Sequence, residues 1–296
     1  MSPGSADLRV GLVGVNTSHA GAFARLLNQV GVAPGARVTW VWGGELRADQ
    51  PDAPTLAKTY DIPHVVSEPQ QMLSETDLVL VVDDTGQGAN HVPLAQPFVA
   101  SGVPTFVDKP MAVDLSEAVT LFTLAADKRT PVTSSSALRY AVELAADRDR
   151  FADLGALSSV VSVGPGEWYY YGIHAVEQLY AVAGPGVEWV QRLTWPDRDV
   201  AVLSYADRGP TAVVQTLRDA AYCFHITAYG QRGHHAVQVA DFDGFYAGQL
   251  KAAVEMARSG KPPVDPAETL EILAVLRAGV LSAERGGERV SVASLL

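Results

Sequence analysis

The chain opens with a short apolar run that ends in glycine and passes at once into a helix-like segment. Residues 8–14 read LRVGLVG, and residues 18–30 read SHAGAFARLLNQV. Apolar residues of the second segment recur at helical spacing, and either Thr17 or Ser18 is available as the N-cap. The order predicts a strand, a tight turn that begins at Gly14, and a helix. It restricts the first half of the chain to alternating α/β folds.

More short apolar runs continue this pattern through the first half, separated by helix-length segments. Such runs indicate a parallel sheet that helices cover on both faces, and ligands of such sheets bind at the carboxyl ends of the strands. We therefore predict further strands at residues 38–42, 78–82, 103–107 and 131–133, with helices at about 55–60 and 114–126.

The pattern changes after about residue 135, where polar and apolar residues alternate. Alternation predicts an antiparallel sheet with one open face, which a helix from Gly172 would cover. The predicted strands are residues 157–163, 188–194, 200–205, 211–217 and 222–229, and the predicted final helices are 245–259 and 267–284.

A length of 296 residues suits two cores better than one. The predicted fold class is therefore α/β, with an N-terminal Rossmann doubly wound parallel sheet and a C-terminal α+β domain that contains an open antiparallel sheet. We place the domains at residues 1–133 and 134–296, and the last helices can pack back on the first domain.

Composition excludes several classes of partner. The formal net charge is −11, from 22 Lys and Arg against 33 Asp and Glu, so the overall field repels nucleic acids. The start MSPGSADLRV has no secretory pattern, no apolar stretch reaches the roughly 18 residues that span a bilayer, and Cys223 is the only cysteine. We predict a cytoplasmic protein without a membrane or nucleic-acid partner. Since His234 and His235 have no carboxylate or cysteine at ligand spacing, no metal site is predicted.

The turn at Gly14 is an altered form of the dinucleotide-binding fingerprint G-x-G-x-x-G. Only the first glycine is present, because Asn16 and His19 occupy the other two glycine positions. Asparagine tolerates left-handed dihedral angles, so we expect Asn16 to replace the second glycine with modest strain. The predicted cofactor contacts in this turn are Gly14, Asn16, Thr17, Ser18 and His19.

Three later motifs accompany the turn. Residues 107–110 read VDKP at the end of a predicted strand, residues 169–177 read YYYGIHAVE, and residues 260–263 read GKPP. Together with the turn they resemble the Gfo/Idh/MocA oxidoreductase family, in which E-K-P follows the fifth strand and D-x-G-x-H opens a helix of the second domain. The resemblance extends over nearly the whole chain.

This resemblance implies a nicotinamide cofactor and hydride transfer to or from a secondary alcohol or carbonyl of a sugar, a cyclitol or a less polar small molecule. Lys109 matches the family lysine and His174 the family histidine. Asp108 stands where glutamate is usual, and Tyr170 stands in place of the catalytic aspartate. The resemblance also implies a homodimer or homotetramer formed through the C-terminal sheet.

The matched residues suit the implied chemistry. Alcohol oxidation needs a group that takes the hydroxyl proton and a donor that stabilises the alkoxide, and His174 and Lys109 fit these roles. Glu177 follows His174 by three residues, so we expect it to be able to orient the imidazole. Tyr170 either donates a proton or fills the pocket. The aromatic run 168–171 favours a bulkier or less polar substrate than a free hexose.

Cofactor choice and reaction class each leave alternatives open. Glu45, after the second strand, favours NAD and Arg47 would suit NADP, so we predict NAD or NADP with NAD favoured. Asp84, Asp108 and Lys109 are the other predicted cofactor contacts. The alternative function is a non-redox lyase, cyclase or isomerase whose cofactor is lost or structural, and a third hypothesis is a non-catalytic sensor.

Overall fold

The computed structural model describes residues 7–206 and 209–296, which form two compact units. The first unit contains the chain up to Ser135 together with Tyr246–Pro266, and the second contains Ser136–Phe245 and Ala267–Leu296. The predicted boundary lies between residues 133 and 134. The predicted lack of a secretory signal concerns the first ten residues, of which residues 1–6 lie outside the described part of the chain.

Six parallel strands form the sheet of the first unit, in the order β3-β2-β1-β4-β5-β6. This is the strand order of the doubly wound dinucleotide-binding fold, and it confirms the predicted Rossmann sheet. The strands are β1 Leu8–Val13, β2 Ala36–Trp42, β3 His64–Val66, β4 Leu78–Val81, β5 Thr105–Val107 and β6 Val132–Ser134.

The helices between these strands are α1 Ser18–Arg25, α2 Ala53–Thr59, α3 His91–Ala100 and α4 Leu115–Lys128. Helix α1 has Thr17 as its N-cap and continues into a π-helical turn at Leu26–Val30. Helix α3 was not predicted, because Pro97 lies inside it and prolines usually mark the end of a helix. Strand β3 was also missed, since its three residues carry no periodic signal.

Seven strands form the sheet of the second unit, in the order β12-β11-β7-β10-β9-β8-β13. Neighbouring strands are antiparallel except β7 and β10, which run parallel, so the predicted antiparallel sheet is correct apart from this pair. The strands are β7 Leu157–Pro165, β8 Val187–Trp195, β9 Arg198–Tyr205, β10 Thr211–Leu217, β11 Phe224–Gly230, β12 Gly233–Val239 and β13 Val290–Ser291.

The remaining helices are α5 Val142–Ala146, α6 Arg148–Ala152, α7 Gly172–Ala183, α8 Phe242–Ser259 and α9 Pro266–Glu284. Helix α7 packs on one face of the second sheet, as predicted, and the Ser162 hydroxyl of β7 donates a 2.8 Å hydrogen bond to the Ala175 carbonyl. The alternate residues of β7 point to the other face, where Val161 and Val163 are only half-buried.

Helix α8 contributes to the core of the first unit. Leu250 and Val254 are buried in one cluster with Leu12 of β1 and Phe23 of α1. The segment Tyr246–Pro266 therefore belongs to the first unit although it follows the second sheet in sequence. Among the helices of the described residues, none is both long enough and apolar enough to cross a membrane.

Candidate functional site

The turn after β1 is held closely against the end of β4. Gly14 has φ 99°, and a Cβ atom at this position would lie 2.5 Å from the Cα atom of Asp83. Only glycine fits such a backbone and such a contact. Thr17 then caps helix α1 by accepting a hydrogen bond from the His19 backbone N–H. The predicted residue Ser18 is the first residue of α1.

Asn16 does not replace a glycine through its backbone. The non-glycine residues with positive φ in the described chain are Asp61, Gln87 and Arg129, so the expected left-handed conformation of Asn16 is wrong. Its side chain is instead buried and hydrogen-bonded. The amide Nδ2 donates to Oδ2 of Asp83 at 3.2 Å, and Oδ1 accepts from the backbone N–H of Asp84 at 2.8 Å. Asn16 therefore ties the first turn to the residues that follow β4.

The loop after β2 contains both residues that bear on cofactor choice. Glu45 is exposed. Arg47 donates to the carboxylate of Asp84 at 3.1 Å and to that of Asp49 at 3.2 Å. Its positive charge is thus compensated by two carboxylates of the same unit.

His19, at the third glycine position, is paired with Asp108. The imidazole Nδ1 lies 2.5 Å from Oδ2 of Asp108, and both side chains are largely buried. The ring also contacts Phe23 and Tyr246, with centroids 5.7 and 5.2 Å away. Burial by itself raises the pKa of Asp108, but His19, with Lys109 and another nearby histidine, holds that pKa well below its usual range. Asp108 is therefore ionised at neutral pH.

Lys109 and His91 are buried beside this pair. Burial lowers the pKa of Lys109, and the negative charges of Asp108 and Asp84 oppose that decrease. His91 shares a 2.7 Å hydrogen bond between its Nδ1 and the Pro110 carbonyl, and burial lowers its pKa as well. The end of β5 is thus a buried cluster of ionisable groups in which carboxylate charge stabilises the lysine cation.

In the second unit, the partner of the His174 imidazole is a serine. Nδ1 of His174, in the first turn of α7, lies 2.6 Å from the hydroxyl oxygen of Ser136. Ser136 is completely buried and caps a 3₁₀ turn, because its hydroxyl oxygen accepts the Leu138 backbone N–H at 3.2 Å. Nothing in the sequence predicted this pair, since the two residues are 38 positions apart.

The carboxylate of Glu177 has two hydrogen-bond partners. Its Oε1 accepts the Ser136 backbone N–H at 3.1 Å, and its Oε2 accepts from Nε of Arg139 at 2.6 Å. The two oxygens of Glu177 therefore bind partners other than the His174 imidazole, and Glu177 is connected to that imidazole through Ser136. Arg139 is also 2.7 Å from Glu268, so one guanidinium lies between two carboxylates.

Four aromatic side chains, which we call the aromatic patch, extend from His174: Tyr171, Tyr222, Phe224 and Phe242. The rings of Tyr171 and Phe224 lie 5.9 and 5.8 Å from the imidazole. Tyr222 contacts both Phe224 and Phe242, at 5.4 and 6.1 Å. Tyr222 and Phe242 are 59% and 43% exposed, so the patch has an accessible surface.

The predicted residue Tyr170 lies next to this patch. Its ring packs edge-on against Tyr171, with centroids 5.6 Å apart. Of the three predicted catalytic residues, Tyr170 and His174 thus lie in the second unit, whereas Lys109 lies in the first.

A family sequence profile matches residues 8–135, and it describes an oxidoreductase family with an NAD-binding Rossmann fold. The N-terminal Rossmann segment belongs to the Gfo/Idh/MocA oxidoreductase family. This match confirms the predicted family and its NAD-binding fold. No curated protein sequence matches the chain.

Solved structures resemble the chain over nearly its whole length. GenD2 from gentamicin A biosynthesis, in complex with NAD, has a TM-score of 0.83 at 18% identity and covers 98% of this chain and 97% of its own. The myo-inositol dehydrogenase of Lactobacillus casei, in complex with NAD(H) and myo-inositol, has a TM-score of 0.81 at 17% identity, with 96% of each chain covered. A myo-inositol dehydrogenase of Corynebacterium glutamicum has a TM-score of 0.80 at 17% identity, covering 96% of this chain and 98% of its own. At these identities, the similarity shows that the chain shares the fold of these proteins.

The structure brings several predicted residues of the Gfo/Idh/MocA segment into contact. Asn16 accepts a hydrogen bond from the backbone of Asp84, and the side chains of His19 and Asp108 are paired, as described above. Asp83 is a buried acceptor that was not among the predicted contacts, although it directly follows the apolar run of β4. Within the described residues no group of three or more potential metal ligands occurs, and His235 is paired with Asp147 at 2.8 Å.

We predict that the His19–Asp108 pair is energetically coupled. Removing one partner leaves the other polar group buried without compensation, which costs about 3 kcal/mol or more for buried pairs. A double-mutant cycle with His19→Ala and Asp108→Ala, measured by urea unfolding, should give a coupling energy of about 1–3 kcal/mol.

The more exposed pair His235–Asp147 is the matched control, because it has the same residue types and a 2.8 Å contact. Its cycle should give less than about 1 kcal/mol. Equal coupling energies for the two pairs would contradict the prediction that burial makes the His19–Asp108 pair the more strongly coupled one.

Proposed function

We propose that this chain is an NAD-dependent oxidoreductase that transfers a hydride between the cofactor and a secondary alcohol or its ketone. The observation that carries the proposal is the buried Lys109 at the end of β5, within the segment that matches an NAD-binding oxidoreductase family. Lys109 lies at the carboxyl edge of the parallel sheet, where ligands of this fold bind. The similar structures that contain NAD support the same proposal.

The turn after β1 fits a dinucleotide. Gly14 allows the close turn, and the N-terminus of α1, an eight-residue helix, presents backbone N–H groups that favour a pyrophosphate. We propose that the cofactor is held by the residues predicted from the sequence, namely Gly14, Asn16, Thr17, Ser18, His19, Glu45, Asp84, Asp108 and Lys109.

The charges after β2 support NAD rather than NADP. Arg47 already binds the carboxylates of Asp84 and Asp49, and Glu45 adds a further negative charge to the same loop. A 2′-phosphate would have to displace these carboxylates from Arg47 and would be repelled by Glu45. A ribose hydroxyl, in contrast, can donate a hydrogen bond to a carboxylate.

The proposed reaction divides a hydride and a proton between two acceptors. Bound NAD supplies the hydride acceptor. Nε2 of His174 takes the hydroxyl proton of the alcohol, and the Lys109 ammonium stabilises the oxygen as its negative charge develops. The alcohol thereby loses two electrons and two hydrogens and becomes a ketone. Burial lowers the pKa of Lys109, and the negative charges of Asp108 and Asp84 oppose that decrease and so favour the cation.

The aromatic patch indicates the class of substrate. Its exposed rings, Tyr222 and Phe242, offer an apolar surface continuous with His174 through Phe224. The charge of Arg139, in the hydrogen-bond network of His174, is already shared by two carboxylates. We propose an uncharged substrate that presents an aromatic or alicyclic apolar face beside the reacting alcohol.

The function is tested by cofactor binding and by turnover. Purified protein should bind NADH at least about tenfold more tightly than NADPH, measured by fluorescence titration. Lys109→Ala and His174→Ala should each lower kcat by about 10² or more with a secondary alcohol of the proposed class. Tyr170→Phe removes only the hydroxyl and so separates a proton donor, which would lose activity, from a ring that merely packs.

Several outcomes would overturn these proposals. If neither NADH nor NADPH binds at millimolar concentration, the proposed oxidoreductase function is wrong, and a non-redox enzyme with the same fold is favoured. Unchanged turnover in Lys109→Ala or His174→Ala would contradict the role assigned to that residue. Val119→Ala, at an exposed position of α4, is the control for handling and expression.

The substrate class is tested by removing the exposed rings. Tyr222→Ala and Phe242→Ala should each raise KM about tenfold or more for an alcohol that carries an aryl group, because stacking area is lost. The KM for a cyclitol without an apolar substituent should change much less. Tyr229→Ala is the matched control, since this residue is 46% exposed at the far end of β11. Equal changes for both alcohols, or in the control, would contradict the proposal.

We also propose that the chain forms a homodimer or homotetramer through the second sheet. Val161, Val213 and Val202 form one cross-strand row on β7, β10 and β9. They alternate with the buried residues and are only half-buried themselves, so they form an apolar band on the face opposite α7. Contact with a second copy would remove this band from water.

Val213→Glu should therefore lower the molar mass measured by light scattering towards that of a monomer. A carboxylate in the centre of the band would be buried without a partner in the oligomer. Val119→Glu makes the same change at a 40% exposed residue of α4 and should leave the mass unchanged. A wild-type monomer, or equal masses for wild type and Val213→Glu, would contradict this interface.

A further inference from the structure

A serine hydroxyl group contacts Nδ1 of His174. Nδ1 of its imidazole lies 2.6 Å from the Ser136 hydroxyl oxygen, whereas Glu177, on the same helix, uses its oxygens elsewhere. The sequence offers no carboxylate at position 170, where Tyr170 stands. Ser136 is thus the hydrogen-bond partner that the structure gives to Nδ1.

Two hydrogen bonds and complete burial hold Ser136 in place. Its backbone N–H donates to Glu177, its hydroxyl oxygen accepts from the Leu138 N–H, and its side chain is completely buried. Such a residue has neither backbone nor side-chain freedom to follow a moving imidazole. Its hydroxyl oxygen is therefore a fixed point against which the ring is oriented.

The anchor behind Ser136 is a buried ionic network. Burial raises the pKa of Glu177, and Arg139 and the Ser136 N–H oppose that rise. Arg139 in turn lies between Glu177 and Glu268, at 2.6 and 2.7 Å. Each member would be left as a buried uncompensated group if it moved, so the network resists displacement.

The chemistry of the hydroxyl fits a proton-accepting histidine. A serine oxygen has two lone pairs, of which one accepts the Leu138 N–H and the other can accept Nδ1–H. When Nδ1 carries the hydrogen of a neutral imidazole, the lone pair that can take a proton is on Nε2. This is the nitrogen that the proposed reaction uses, so the inference rests on the proposed function.

We propose that Ser136 is the positioning residue of His174: its hydroxyl oxygen accepts Nδ1–H, fixes the ring, and leaves the lone pair on Nε2 for proton transfer. The same hydrogen bond persists when Nε2 is protonated, because Nδ1 carries a hydrogen in both states. The imidazole therefore gains and loses its proton without a change of partner or orientation.

The test is a spectroscopic measurement of the tautomer. In ¹⁵N-labelled protein, two-bond ¹H–¹⁵N correlations distinguish protonated from unprotonated ring nitrogens, and the signals of His174 are assigned by their loss in His174→Gln. Wild-type His174 should carry its hydrogen on Nδ1 in the neutral state. In Ser136→Ala the Nε2-protonated form should increase, and kcat should fall about tenfold or more with little change in the affinity for NADH.

Ser135→Ala is the matched control. Ser135 is the adjacent residue, is equally buried, and has a hydroxyl without a hydrogen-bond partner among the described residues. This variant should leave the tautomer of His174 and kcat unchanged. Circular dichroism and the thermal midpoint of each variant show that the fold is retained.

Three results would overturn the proposal: an unprotonated Nδ1 in wild-type neutral His174, identical His174 signals in wild type and Ser136→Ala, or an equal effect of Ser135→Ala. The first needs only the wild-type protein and His174→Gln, which assigns the signals, so it holds even if Ser136→Ala does not fold. Because the tautomer is measured without cofactor or substrate, failure of the redox function would appear separately, as absent turnover with an intact Nδ1–H signal.

Discussion

Buried charge at the ends of β4 and β5 is the constraint on which the first unit depends. Asp83 and Asp108 are both nearly inaccessible, and a carboxylate in that environment must be hydrogen-bonded or paired. The chain meets this requirement with the two residues that replace glycines in the fingerprint. Asn16 donates to Asp83, and His19 is paired with Asp108. The altered glycine turn is therefore a set of compensating contacts rather than a decayed motif.

A similar constraint organises the second unit around Glu177. This carboxylate is fully buried and is compensated by Arg139 and by the Ser136 N–H. The hydrogen bonds that satisfy Glu177 also fix the backbone from which the Ser136 hydroxyl reaches His174. Polar groups that must be satisfied for folding thus hold the groups proposed for chemistry.

The sequence predicted the fold well where hydrophobic pattern alone decides it. The short apolar runs of β1 and β4, which turn residues follow, are typical of buried parallel strands, and the alternation in β9 and β10 is typical of a sheet with one open face. Helix α3 was missed because Pro97 lies within it, and edge strand β12 because its residues are mostly exposed and lack a continuous apolar pattern. Both elements are stabilised by tertiary context, which a local pattern does not contain.

The candidate site was predictable in its residue types but not in its contacts. Spacing correctly put Glu177 on the same helix as His174, yet spacing cannot say which of two nearby groups a carboxylate will bind. In this structure Arg139, a full cation, and the fixed backbone N–H of Ser136 bind the two oxygens of Glu177. Nδ1 of the imidazole instead contacts a neutral group, the Ser136 hydroxyl. A neutral partner can hold the ring without adding a negative charge that would raise the pKa of the imidazole.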